Sequence, residues 1–325
     1  MEIAISILLI SVGFVLLIKG ADFLVNGASS LAKRFNASDI AIGLTVVAMG
    51  TSAPELVVNL ISGAKGANDV VFGNIIGSNI FNMFLILGIS SVIYPITIQK
   101  NALWNEIPFS LGITIIFWVL VNDKMFFGAE TNSADAIDGI ILLVLFVAFL
   151  VYIFFNMTKD GSESVIEADD IELYSSLKTT LLIVFGIAGL AFGGQMIVDN
   201  AIKIAESFGV SERLIGLTIL AAGTSLPELA TTAVAAFHKK SDLAVGNIIG
   251  SNIFNLLLVL GATAVINSPL TFDTALNTDL YMVMLGTFML YGFMFILKKY
   301  EIGRAEGSIY LLGFIGYMIF LFERM

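Results

Sequence analysis

The 325-residue chain has no cysteine and a single histidine, His238. Without thiolates there is no disulfide framework, iron–sulfur cluster or thiolate zinc site, and one imidazole does not build a histidine-ligated metal centre. Any ion held here is therefore a hard one, bound by oxygen. Charge is also scarce: 13% of residues are charged and 58% hydrophobic, with a mean hydropathy of +0.95. That balance excludes a soluble domain and leaves a lipid-embedded chain. The formal charge is −10, and no nucleic-acid partner, cofactor, enzymatic activity or obligatory protein partner is expected.

Apolar runs of helical length recur from end to end, without the alternating pattern of about ten residues that marks an outer-membrane barrel. The expected class is an all-α polytopic membrane protein. Met1 to Ile18 lacks the basic start of a signal peptide, and its apolar run continues past Lys19 and Asp22 toward Ala32, so it reads as the first span. The acidic run from Asp160 to Glu172 reads as a solvated linker.

The chain is written twice. Leu8 to Ile93 aligns without a gap on Leu181 to Ile266, at a constant shift of 173. Identity is densest in "IGLT", "GTSxPEL" and "GNIIGSNIFN", which run from Ile42 to Asn82 and again from Ile215 to Asn255. Five spans are expected per copy, roughly 3–31, 40–63, 70–93, 104–121 and 137–155, then 178–206, 213–237, 243–266, 279–298 and 306–322. Five is odd, so the second copy crosses in the opposite sense. The expected architecture is ten transmembrane helices as two inverted-topology five-helix repeats, a plan of secondary transporters. The division is 1–156, a linker at 157–177, and 178–325. Lys33, Arg34, Lys100, Lys159, Lys178, Lys239, Lys240, Lys298, Lys299 and Arg304 fall on one side, against Lys65, Lys124, Lys203, Arg213 and Arg324 on the other. The first side is expected to be cytoplasmic, which places the linker inside and both termini outside a plasma (inner) membrane.

Counting along the second span of each copy puts Glu55 and Glu228 near the bilayer midplane. A charged group there costs about 2.5–3.5 kcal/mol on insertion scales, which makes it a functional candidate by default. Pro54 and Pro227 remove a backbone donor, so the helices should break near Gly50 and Gly223 and release carbonyls. The oxygens of Ala48, Thr51, Ala221 and Thr224 are expected to face inward with the hydroxyls of Thr51, Ser52, Thr224 and Ser225. In the third spans, Asn74, Ser78 and Asn82 share a helical face by their i, i+4, i+8 spacing, as do Asn247, Ser251 and Asn255. Gly73 with Gly77, and Gly246 with Gly250, are small-xxx-small pairs suited to close backbone approach. Helix packing alone accounts for a proline kink or an asparagine stripe, but not for two midplane carboxylates beside two helix breaks.

Carboxylate, carbonyl, hydroxyl and amide oxygens suit calcium or sodium, whereas magnesium keeps its waters. Two glutamates balance one calcium ion. Carboxylates sharing a site also repel, so protons are expected to compete with the cation.

"GTSxPE" followed by "GNIIGSN", duplicated in two halves, resembles the sodium/calcium exchanger family of the cation/calcium antiporter superfamily, in its compact prokaryotic form. The resemblance covers nearly the whole chain. It implies exchange of Na+ for Ca2+ by alternating access, electrogenic and extruding Ca2+. By position it implies that Glu55 and Glu228 are shared calcium and sodium ligands, with backbone help from Thr51 and Thr224. Ser52, Ser225, Ser78, Ser251 and the carbonyls of Ala48 and Ala221 resemble flanking sodium sites, and Asn82 and Asn255 the central polar pair. Potassium-dependent relatives carry an aspartate in that pair; two asparagines imply potassium independence. Proton/calcium exchangers differ at the GTS triplet, but a calcium/proton antiporter on the same scaffold stays open as the alternative, with a passive cation channel behind it. The linker has no room for a folded calcium-sensing domain.

In that family the long first and sixth helices slide past the rest, and Gly20, Gly27, Gly186, Gly189, Gly193 and Gly194 would suit sliding or static contact equally. Asp22 and Asp199 read as interfacial anchors, and His238 as a solvated loop residue.

Overall fold

The computed structural model describes residues 2–156, 173–208, 221–296 and 300–324. The chain is helical almost throughout. Among the described residues, eight helices are long and apolar enough to cross a membrane, and nine if a pair bent by 47° is one span. The acidic run, the first part of the expected 213–237 span, and Lys159, Arg213, Lys298 and Lys299 lie outside the described residues.

Helix α1 is Glu2–Phe35. The bent span consists of α2 (Asp39–Ile42), a π-helical turn at Gly43–Val47, α3 (Ala48–Thr51) and α4 (Ala53–Ala64). Helix α5 (Asn68–Ile80) continues through a π turn at Phe81–Ile86 into α6 (Leu87–Ile93). Helices α7 (Ile107–Val121), α8 (Asp123–Phe126) and α9 (Ala136–Asn156) complete the first half. The second half contains α10 (Ser176–Ser207), α11 (Ala221–Thr224), α12 (Leu226–Phe237) and α13 (Ser241–Phe254). After a π turn at Asn255–Val259 come α14 (Leu260–Asn267), α15 (Asn277–Ile296) and α16 (Arg304–Arg324).

Two short antiparallel ladders tie the halves together. Strand β1 (Ile96–Thr97), which follows α6, pairs with β4 (Glu301–Ile302) between α15 and α16. Strand β2 (Ser133–Ala134), before α9, pairs with β3 (Leu270–Thr271) after α14. Each half thus supplies the loop that pins the other.

The long helices α1 and α10 lie against each other at glycine. A Cβ at Gly20 would stand 2.7 Å from the Leu190 nitrogen, one at Gly186 2.7 Å from the Leu24 nitrogen, and one at Gly193 2.7 Å from the Leu17 nitrogen. Backbones approach this closely only without side chains between them. Gly13, which the sequence did not single out, belongs to the same seam: a Cβ there would stand 3.0 Å from the Gly193 oxygen. Gly194 does not: its neighbours, Pro227 and Leu17, are at ordinary contact distance. Gly246 and Gly250 also meet backbone, from α2 and the turn after it. At Gly73 and Gly77 no described residue lies within 4 Å of a Cβ built there, and the counterparts of the segment that meets Gly246 and Gly250 lie outside the described residues.

Candidate functional site

The two glutamates sit in the first turns of α4 and α12, and both are buried, Glu55 at 0% and Glu228 at 2% exposure. Pro54 and Pro227 occupy the first turn as well, where a missing N–H costs nothing and the fixed φ suits helix initiation. The break in the first half therefore falls at Ser52, between α3 and α4, rather than at Gly50. In the second half it falls at Ser225, not Gly223. The prolines start new helices instead of bending old ones. Each carboxylate lies at a helix N-terminus, where the macrodipole favours negative charge.

Ser52 and Ser225 stand at the N-cap positions yet cap nothing with their side chains. Their hydroxyls reach across to the other half. Ser52 Oγ donates to Glu228 Oε1 at 3.0 Å, and Ser225 Oγ lies 3.4 Å from Glu55 Oε1 and 3.0 Å from Ser78 Oγ. A capping serine contributes about 1 kcal/mol to its own helix; here that bond is given up for an inter-half contact.

The same reciprocity runs through the surrounding polar groups. Thr51 Oγ1 is 3.2 Å from Asn247 Oδ1, and Thr224 Oγ1 is 3.2 Å from Asn74 Oδ1. Asn82 Nδ2 donates to Asn252 Oδ1 at 3.0 Å, and Asn255 Nδ2 donates to Asn79 Oδ1 at 3.0 Å. In all three pairs the second bond is the first displaced by the 173-residue shift. The structure thus links Ser52 to Glu228, and Ser225 to both Glu55 and Ser78, as two reciprocal inter-half sets accompanied by the threonine–asparagine and asparagine–asparagine contacts.

Other expected members differ in their surroundings. The Ala48 carbonyl is not released: it accepts from the Ser52 nitrogen at 2.9 Å and lies 3.2 Å from Thr51 Oγ1. The reason is the later break, which leaves the last turn of α3 intact. Asn247 Nδ2 donates to Thr232 Oγ1 at 2.9 Å, so this amide holds the threonine on one side and bonds within its own half on the other. Ser251 is buried, and its hydroxyl has no hydrogen-bond partner among the described residues. Ala221 lies in α11, whose last residue, Thr224, precedes the second break at Ser225.

Glu55 Oε2, Glu228 Oε2, Asn82 Oδ1 and Asn255 Oδ1 are all buried without a hydrogen-bond partner among the described residues. Buried polar atoms are nearly always partnered, since each orphan costs about 1–3 kcal/mol. Acceptor oxygens left over on two carboxylates and two amides suit a cation, the one species that satisfies acceptors without needing any from its side. No group of three or more His, Cys, Asp or Glu placed to hold a metal ion occurs among the described residues, so two carboxylates with neutral oxygens are the candidate donor set.

Sequence reasoning missed Asn79 and Asn252, both buried. They fall one residue off the i, i+4, i+8 face; the signal was their presence in both copies of "GSN". His238 is an exposed residue just past the end of α12, as expected, and its Nε2 adds a contact the sequence did not announce, 2.8 Å from Asp22 Oδ1 of α1. Asp199 accepts from Gln195 Nε2 at 2.6 Å.

Long apolar helices around a buried, oxygen-lined and doubly broken centre define a multi-pass membrane transporter, not an enzyme. The sodium/calcium exchanger protein family matches residues 5–155 and 178–323, and the chain belongs to that family of cation/calcium antiporters. It is 38% identical over 324 residues to the putative antiporter CaxA of Alkalimonas amylolytica, covering 98% of this chain and 99% of that one. It is 29% identical over 355 residues to the sodium/calcium exchanger MaX1 of Methanosarcina acetivorans, covering 98% and 99%. Among solved structures, the sodium-calcium exchanger NCX_Mj superposes with a TM-score of 0.83 at 31% identity, covering 98% of each chain.

Proposed function

We propose that this chain exchanges Na+ for Ca2+ by alternating access at a centre built on Glu55 and Glu228. The observation that carries the reading is the state of the two carboxylates: each is buried, each has one oxygen facing a serine of the opposite half, and each has the other oxygen unpartnered among the described residues. Two negative charges match one calcium ion or a pair of sodium ions; further sodium ions at neutral oxygens would make the cycle electrogenic.

Asn82 and Asn255 supply amide oxygens at the centre, and Ser52, Ser225, Ser78 and Ser251 hydroxyl oxygens beside it. Thr51 and Thr224 line the breaks, with Asn74 and Asn247 holding their hydroxyls in place. Ala48 and Ala221 contribute backbone oxygens as the helices shift. Two uncharged asparagines in the central pair support potassium independence. Protons compete for the same carboxylates.

The architecture belongs to this reading. The reciprocal bonds and the two interlocked ladders support two repeats, 1–156 and 178–325, crossing the lipid in opposite senses as ten helices, with 157–177 and the Lys/Arg excess on the cytoplasmic side and both termini outside.

The test is radiolabelled calcium uptake into proteoliposomes loaded with sodium and diluted into sodium-free buffer, with a parallel arm driven by a proton gradient alone. Uptake in the sodium arm only, abolished in Glu55→Gln and in Glu228→Gln, is the expected result. Uptake in the proton arm only assigns calcium/proton antiport, uptake needing no counter-ion a channel, and retained exchange in both variants removes the site assignment.

A further inference from the structure

We infer that Asn79 is a positioning residue that fixes which end of the Asn255 amide faces the ion. The inference rests on the proposed role of Asn255 as an oxygen ligand, and adds the device that keeps its oxygen, not its NH2, turned inward. An asparagine side chain presents two ends of nearly equal size and opposite polarity. Beside a cation one end is a ligand and the other is repelled, so an unaimed amide would waste the site much of the time.

The aim is set by a relay that starts at the main chain. Asn79 Nδ2 donates to the backbone oxygen of Asn252 at 3.4 Å. A backbone carbonyl only accepts, so this contact orients the Asn79 amide: its NH2 faces Asn252 and its Oδ1 points away. That Oδ1 receives Asn255 Nδ2 at 3.0 Å. An amide oxygen cannot donate, so Asn255 must turn its NH2 toward Asn79. The remaining end, Asn255 Oδ1, is buried and has no hydrogen-bond partner among the described residues. It lies one turn beyond Ser251 on the same face, as Asn82 lies beyond Ser78, and Ser78 is already linked through Ser225 to Glu55. Flipping Asn255 would set two oxygens against each other at Asn79 and present NH2 to the cation.

The mirror relay is incomplete. Asn82 Nδ2 donates to Asn252 Oδ1 at 3.0 Å, but Asn252 Nδ2 has no partner among the described residues. Of Asn79 and Asn252, Asn79 alone has its NH2 tied to main chain among the described residues, so it is the one whose loss should be felt at the ion.

The test is a double-mutant cycle on the purified full-length protein. Asn79→Leu keeps the size but removes both bonds. Asn255→Asp offers oxygen at both ends and needs no aiming. Calcium affinity is read by calorimetry in sodium-free detergent solution, and KM and maximal rate from exchange in proteoliposomes, with Asn79→Ala replacing Asn79→Leu if the latter does not elute as folded protein. In the parent, Asn79→Leu should weaken calcium binding and raise KM about tenfold, with maximal rate changed less than about twofold, as expected when a buried hydrogen bond that aims a ligand is lost. In the Asn255→Asp background it should cause no loss. An equal loss in both backgrounds would show a packing role and overturn the inference, as would an unchanged affinity in the parent. Glu55→Gln is run alongside: if it abolishes binding while Asn79→Leu does nothing, the relay fails and the site stands. If Glu55→Gln binds calcium normally, the site reading fails first.

Discussion

Helices α5 and α13 share the octapeptide "GNIIGSNI", at Gly73–Ile80 and Gly246–Ile253, yet they live in different surroundings. Every residue of α13 is buried, whereas α5 leaves Val70 44% exposed. A Cβ at Gly246 would stand 2.6 Å from the Ile40 oxygen and one at Gly250 2.7 Å from Ala48 Cβ; at Gly73 and Gly77 nothing described lies within 4 Å. The polar contacts of the same two helices are nonetheless paired, through Thr224 to Asn74 and Thr51 to Asn247. The residues that face Gly246 and Gly250 include Ile40, Gly43 and Leu44, whose counterparts by the 173-residue shift, 213, 216 and 217, lie outside the described residues. The polar chemistry at the centre follows the repeat, and the packing contrast holds among the described residues.

The largest effects should come from the part that obeys the repeat. Glu55→Gln and Glu228→Gln should each reduce sodium-driven calcium uptake by about 100-fold or more, since a buried charge-assisted contact is lost. Their losses should match within about threefold; a clear inequality in uptake would break the equivalence of the halves.

Next comes the packing contrast itself. Gly246→Ala and Gly250→Ala should each cost about 1–3 kcal/mol by overpacking against fixed backbone, lowering the melting temperature in detergent. Gly73→Ala and Gly77→Ala test the same contact in the other half: a fall equal to that of Gly246→Ala and Gly250→Ala shows reciprocal packing, and an unchanged or raised melting temperature, as alanine's helix preference of up to about 1 kcal/mol would give, confines the close approach to α13.

Thr51→Val and Thr224→Val each remove one of two equivalent bonds, so melting should report about 1 kcal/mol for either. The smallest effect belongs to His238 and Asp22, a pair with no copy in the other half, where the position equivalent to Asp22 is Gln195, turned to Asp199. The pair is 39% and 31% exposed, so His238→Ala should cost less than about 1 kcal/mol. Lys65→Ala, at the equivalent position, should cost nothing measurable by the same melt.

What the sequence determined by itself is whatever depends on local pattern and on repetition. Apolar runs separated by breaks place the spans, because lipid requires continuous helices. The 173-residue shift pairs the glutamates, and the i, i+4, i+8 spacing puts Asn74, Ser78 and Asn82 on one face. The tertiary structure decided what depends on the partner across the interface. It moved the breaks to Ser52 and Ser225, whose hydroxyls left their own helices for the opposite glutamates. It kept the Ala48 carbonyl inside its helix, brought His238 to Asp22, and made Asn79 the main-chain anchor of a contact that its spacing does not announce. Helical periodicity says which residues share a face, but a hydrogen bond between residues about half the chain apart is chosen by which face the fold sets against it.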